Sequence, residues 1–139
     1  MKTIVSLCIV TISVALAPVA LSSESSEAPA ESAALTWLGL IDAGNYPQSW
    51  SSASAVFRQK ISATQWQSAV AGARAPLGAL KSRTLVSATP MTSLPGAPDG
   101  HYVVIRYDSS FEHKASATET VTPMLDPDGK WHVFGYYIK

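Results

Sequence analysis

The acids Asp42, Asp108 and Glu119 and the tyrosines Tyr46, Tyr102 and Tyr107 are the side chains of this sequence with which acid–base chemistry could be built. A carboxyl group held in an apolar pocket has a raised pKa and can serve as a base or a proton donor. Each has a simpler role as well. Asp42 lies two residues before Gly44, where a polar helix end accounts for it. Asp108 follows Arg106 on one strand face, so the two are expected as an exposed ion pair. The three histidines, His101, His113 and His132, are spread over separate strands or loops. Zinc ligands come grouped, as in His-x3-His, and this spacing does not supply them. No Gly-x-Ser-x-Gly elbow and no phosphate-binding glycine loop is present. The sequence therefore predicts no catalytic, cofactor-binding or metal-binding residue, and no cofactor.

Charge excludes another class. Only 14% of residues are charged, and ten basic side chains balance ten acidic ones, well under the roughly 25% of an average soluble domain. Nucleic-acid capture needs clustered Lys and Arg. No such stripe exists, so no nucleic-acid partner is expected.

The N-terminus reads as a secretory signal peptide over residues 1–22. Met1 and Lys2 give a short positive start, and Thr3 to Leu16 is an apolar run, short for spanning the roughly 30 Å of a bilayer interior. Pro18 then breaks the run, and Ala20 and Ser22 are small side chains at the −3 and −1 positions of a cut after Ser22. The single cysteine, Cys8, leaves with this segment, so the remaining domain has no disulfide in the oxidising periplasmic or extracellular space. No membrane span remains after cleavage.

Residues 23–31 are Ser/Glu-rich and read as a disordered polar leader, and residues 32–139 form one domain. Ala34, Leu35, Trp37, Leu38 and Ile41 fall at helical spacing, and Gly44 closes that helix. Tyr46-Pro47 opens a second helix carrying Trp50, Ala53 and Phe57, with Pro47 at its first position. Ser62 and Gln65 make a capping box for a third, running from Ala63 to about Ala75, and Ile61 and Trp66 are spaced as a hydrophobic staple. Extended segments follow. Lys81 to Leu94 reads as a strand in which Pro90 implies an edge position or a bulge. Tyr102 to Asp108 alternates, Ala115 to Leu125 is Thr-rich, and Asp126-Pro127-Asp128-Gly129 turns the chain into Trp131 to Ile138. Three N-terminal helices packed on a curved four-stranded antiparallel sheet make an α+β domain. The tryptophans are expected mainly in the core.

Several stretches resemble an uncharacterised bacterial family, domain of unknown function 4019. They are Trp37-Leu38 with Asp42-Ala43-Gly44, Trp50 in its Ser-rich context, Arg74-Ala75-Pro76-Leu77-Gly78, Ser93 to Gly100, Glu119 to Met124, and Asp128-Gly129-Lys130-Trp131. The element order is similar to the cone-shaped nuclear transport factor 2-like (cystatin-like) architecture. That likeness implies a pocket between helices and sheet, where some relatives place a carboxylate base and a tyrosine donor. The family implies an exported bacterial origin and no activity.

Both faces of the last strand are apolar. Simple alternation sets Trp131, Val133 and Tyr137 on one face, and Phe134, Tyr136 and Ile138 on the other. A sheet covered on one side only should alternate apolar with polar, so the second face calls for cover, as in a homodimer formed through the open sheet face. The expectation is a periplasmic or secreted, non-catalytic module of the cell envelope, binding a small apolar ligand or an envelope protein. The alternative is a small acid–base enzyme with a pocket between helices and sheet.

Overall fold

The structure, a computed structural model, describes residues 24–139. The signal segment, its cut after Ser22, and Cys8 lie outside the described residues. Four α-helices come first: α1 (Glu24–Asp42), α2 (Tyr46–Ser51), α3 (Ala55–Lys60) and α4 (Ala63–Arg74). A single 3₁₀ turn, Ala75–Leu77, leads into four strands: β1 (Leu80–Met91), β2 (Tyr102–Phe111), β3 (Lys114–Leu125) and β4 (Trp131–Ile138). The strands pair antiparallel in the order β1-β2-β3-β4, an open meander. The architecture is α+β, as the sequence implies.

Two helical expectations need correction. α1 is described from Glu24 onward and runs through the stretch that composition assigns to a loose leader. Ala30, inside that stretch, is fully buried in the core. The helix closes as a Schellman motif. Gly44, at φ 73°, donates to the Ile41 carbonyl, and Asn45 donates to that of Leu40. Second, the α-helices among the described residues number four, because the predicted Tyr46–Phe57 helix is two. Ser54 interrupts it: its hydroxyl accepts from the Phe57 N–H at 3.1 Å, and its own N–H donates to the Val133 carbonyl at 2.8 Å. The break ties α3 to the free edge of β4. Pro47 stands second in α2, after Tyr46.

α4 begins as read. The Ser62 hydroxyl accepts from the Gln65 N–H at 3.2 Å, and the Gln65 side chain accepts from the Ser62 N–H at 3.1 Å. Trp66 and Val70 are buried one turn apart, and Ile61 packs on the same core.

Helices cover one sheet face. Val103, Ile105 and Tyr107 of β2, Val121 of β3 and Val133 of β4 meet Ala34, Trp37, Leu38 and Ile41 of α1 and Trp66 and Val70 of α4 in one core. β1 is an edge strand, one of the two settings that Pro90 implies. The face assignment for β4 is overturned by a bulge. Pro123 pairs with Val133, whereas Val121 pairs with Tyr136, so one extra residue shifts the alternation. Val133 and Tyr136 thus share the inner face, and the Tyr136 ring meets Trp37 edge-on, with centroids 5.5 Å apart.

The opposite face is partly covered by its own chain. Tyr102 is buried, stacks edge-on with Phe134 at 5.4 Å, and its hydroxyl donates to the Pro98 carbonyl at 2.5 Å. Lys60 lies over the Phe134 ring at 5.3 Å and donates to the Gly96 carbonyl at 2.5 Å. The loop after β1 therefore folds under the sheet. Of the apolar side chains that called for a partner on that face, Tyr137 stays open, at 55% exposure.

Candidate functional site

Glu119 sits on the inner face of β3, opposite Tyr107 of β2 and Ile138 of β4, with no exposed surface. An isolated carboxylate could not ionise there without strong compensation. Four donors supply it. Oε1 accepts from Arg83 Nε at 2.8 Å and from the Ser109 hydroxyl at 2.6 Å. Oε2 accepts from Arg83 Nη2 at 3.1 Å and from the Tyr136 hydroxyl at 2.6 Å. A carboxylate has about four lone-pair sites, and these donors fill them.

Arg83 reaches further. Its Nη1 and Nη2 donate to Asp42 Oδ2 and Oδ1 at 2.8 and 3.0 Å, and Asp42 also accepts from Arg74 Nη2 at 2.9 Å. Arg74 Nη1 lies 3.9 Å from Glu119 Oε2, and the guanidinium stands 4.7 Å from the centre of the Phe111 ring. Two anions and two cations thus close a neutral cluster joining α1, α4, β1, β2, β3 and β4. Burial pushes the Glu119 and Asp42 carboxyls up, but the donated hydrogen bonds outweigh it and hold both below the usual carboxylate range. The Tyr136 hydroxyl is pushed far upward by burial and by the charge of Glu119. The arrangement holds protons in place: a saturated, weakly basic carboxylate has no lone pair to offer a substrate proton.

The structure brings two of the six acid–base candidates together, Asp42 and Glu119, through Arg83. Asp42 is therefore more than a polar helix end. Tyr107 lies in the core beside them with its hydroxyl unpartnered among the described residues, and burial pushes it up to about 12. Tyr102 belongs to the loop contact beneath the sheet, and Tyr46 packs at the core margin. Asp108 and Arg106 are both exposed, and among the described salt bridges they form none with each other. Arg74, Arg83, Ser109 and Tyr136 are cluster members that the sequence reading did not select. A signal existed for Arg74, which continues the four-residue spacing of Trp66 and Val70 into the buried stripe.

A second feature is open to solvent. α1, α2 and the start of β4 enclose a cleft of about 610 Å³, walled by Pro29, Ala33, Trp37, Leu40, Trp131 and Val133, with Gln48, Ser52, Lys130 and His132 among its polar lining. Apolar walls with few polar groups are the usual make-up of a small-molecule site. His132 fixes the mouth: Nε2 lies 2.8 Å from Asp128 Oδ2, and Nδ1 lies 3.2 Å from the Ser52 carbonyl. Burial lowers the pKa of His132, and these two acceptors more than reverse it. Trp131 separates this cleft from a groove of about 490 Å³ lined by Pro90, Met91, His101, Tyr102 and Leu125.

His101, His113 and His132 remain apart. His113 lies 3.9 Å from the neighbouring Glu112, and among the described residues no three His, Cys, Asp or Glu side chains gather as metal ligands. No described helix is long and apolar enough to cross a membrane.

No curated protein and no solved structure matches the chain. The match that exists covers residues 33–136, nearly all of the folded domain, and agrees with the short stretches that carried the resemblance. The chain belongs to the family described as "Protein of unknown function (DUF4019)".

Proposed function

We propose that this chain is an exported, non-catalytic binding module of the cell envelope, and that the cleft between α1, α2 and β4 takes a small apolar ligand. The observation that carries the reading is the cleft itself, about 610 Å³ with tryptophan and aliphatic walls. The cluster around Glu119 supports binding over acid–base catalysis, since its carboxylates are engaged by guanidinium and hydroxyl donors. The support for export is the pattern of residues 1–22 with Ala20 and Ser22 before the cut. A helix-backed antiparallel sheet of this order is also what a cone-shaped, nuclear transport factor 2-like domain would need, and that likeness belongs to the same proposal.

The test is binding of N-phenylnaphthylamine, a neutral fluorescent probe, to the protein lacking residues 1–22. Saturable enhancement, abolished by Ala33→Trp, which fills the cleft from the helix side, is the expected result. No saturable binding, or binding unaffected by that substitution, refutes the assignment of the cleft. Intact-mass measurement of the periplasmic fraction tests export: the expected species begins at Ser23, and a membrane-bound species retaining residues 1–22 refutes it.

A further inference from the structure

The cleft runs beside α1. Its α1 wall runs from Pro29 to Leu40, about 16 Å at the roughly 1.5 Å rise of a helix residue. Its charged side chains gather where β4 begins, with Lys130 and His132 on either side of Trp131. Asp128 and Asp126 stand near that end, and Asp126 Oδ1 is buried with no hydrogen-bond partner among the described residues. Asp128 takes His132 on Oδ2 and the Lys130 backbone N–H on Oδ1 at 2.9 Å, and Asp126 Oδ2 accepts from the Ala55 N–H at the start of α3. The Lys130 ammonium is exposed and has no side-chain partner among the described residues. An ammonium with no side-chain partner, in the lining of an apolar cleft, can take one anionic head on an apolar chain.

The geometry points to a free alkyl carboxylate as the occupant, its head at Lys130 and its chain along Trp131, Ala33 and Leu40, an assignment that rests on the binding reading above. The head keeps water and gains a charge-assisted hydrogen bond, while the chain is removed from water. The experiment is displacement of N-phenylnaphthylamine by dodecanoate, dodecanol and dodecylamine, which share a chain and differ in the head. Dodecanoate is expected to displace the probe at about three- to tenfold lower concentration than dodecanol, as one partly exposed charge pair allows, with dodecylamine the weakest. Lys130→Met, an exposed turn position that leaves the core intact, should erase the preference for carboxylate over alcohol. Lys81→Met, at an exposed position on β1, should preserve it. Equal displacement by the three compounds, or a preference that survives Lys130→Met, overturns the carboxylate assignment and leaves apolar binding standing. Absence of saturable probe binding removes both.

Discussion

Replacing Glu119 by Gln keeps the shape of the side chain and removes its charge. The amide still presents one oxygen, but its NH₂ must face donors in either orientation: Arg83 Nε and Ser109 on one side, Arg83 Nη2 and Tyr136 on the other. Arg83 and Arg74, with side chains 10% and 5% exposed, are then left with Asp42 alone. Breaking a buried ion pair from one side costs about 3–5 kcal/mol. Arg83 retains two hydrogen bonds to Asp42, which places the expectation in the lower part of that range, about 3–4 kcal/mol. Against a total stability of about 5–15 kcal/mol, this is a large fraction. Urea titration followed by tryptophan fluorescence measures it, with an unchanged m-value showing that the transition is still two-state. Arg83→Met and the double variant complete a cycle, and groups in one network couple by about 0.5–3 kcal/mol. A loss below about 1 kcal/mol for Glu119→Gln, or strict additivity with Arg83→Met, would refute the picture of a charged, mutually dependent cluster.

Acid should destabilise the domain through the same groups. The folded pKa values of Glu119 and Asp42 lie below their unfolded values of about 4.3 and 3.9. Their contribution is therefore full above those values and lost as pH falls through the lower folded ones, and Glu119→Gln should flatten the acid limb of a urea-midpoint-versus-pH curve. His132 has the opposite sign: its folded pKa is raised, so its contribution is full below about 6.5 and fades as pH rises through the folded value. His132→Gln should remove a small alkaline decline, of about 1 kcal/mol or less, and an unchanged profile would count against the Asp128–His132 pair. Tyr136→Phe deletes one hydrogen bond to a charged acceptor and should cost about 1.5–3 kcal/mol, read from the same denaturant titrations. Ser62→Ala should cost about 0.5–2 kcal/mol, and Trp66→Ala about 3–5 kcal/mol, so equal and negligible losses would contradict a capped, core-facing α4.

Local rules were the legible part of this sequence. The capping box at Ser62 and Gln65, the glycine stop at Gly44 and the turn at Gly129 act over a few residues and are met in the structure. What could not be read depends on contacts made across the chain. Ser54 ends a helix because the edge of β4 offers it the Val133 carbonyl, and residues 24–31 are helical with Ala30 seated in the core. The β4 bulge reverses Tyr136 relative to simple alternation and sets it on the inner face with Val133, where its hydroxyl meets Glu119. Glu119 itself was within reach as a candidate, in phase with Ala117 and Val121 on a buried strand face. Its donors come from positions 10 to 36 residues away in sequence, and no local pattern announces them.

The span of the Asp42–Arg74–Arg83–Glu119 cluster bears on the order of assembly. Each strand of the meander pairs with its sequence neighbour, so the sheet closes through short loops, whereas the Asp42–Arg83 contact links residues 41 apart. Contacts that close longer loops carry more chain entropy and tend to form later. Interactions absent from the folding transition state govern how fast the native state opens, with little influence on how fast it forms. By the same rule the charged cluster closes after the neighbouring strands of the sheet have paired. Variants that weaken it should unfold faster at nearly unchanged refolding rates, a kinetic form of durability suited to a domain whose described residues contain no cysteine to cross-link them.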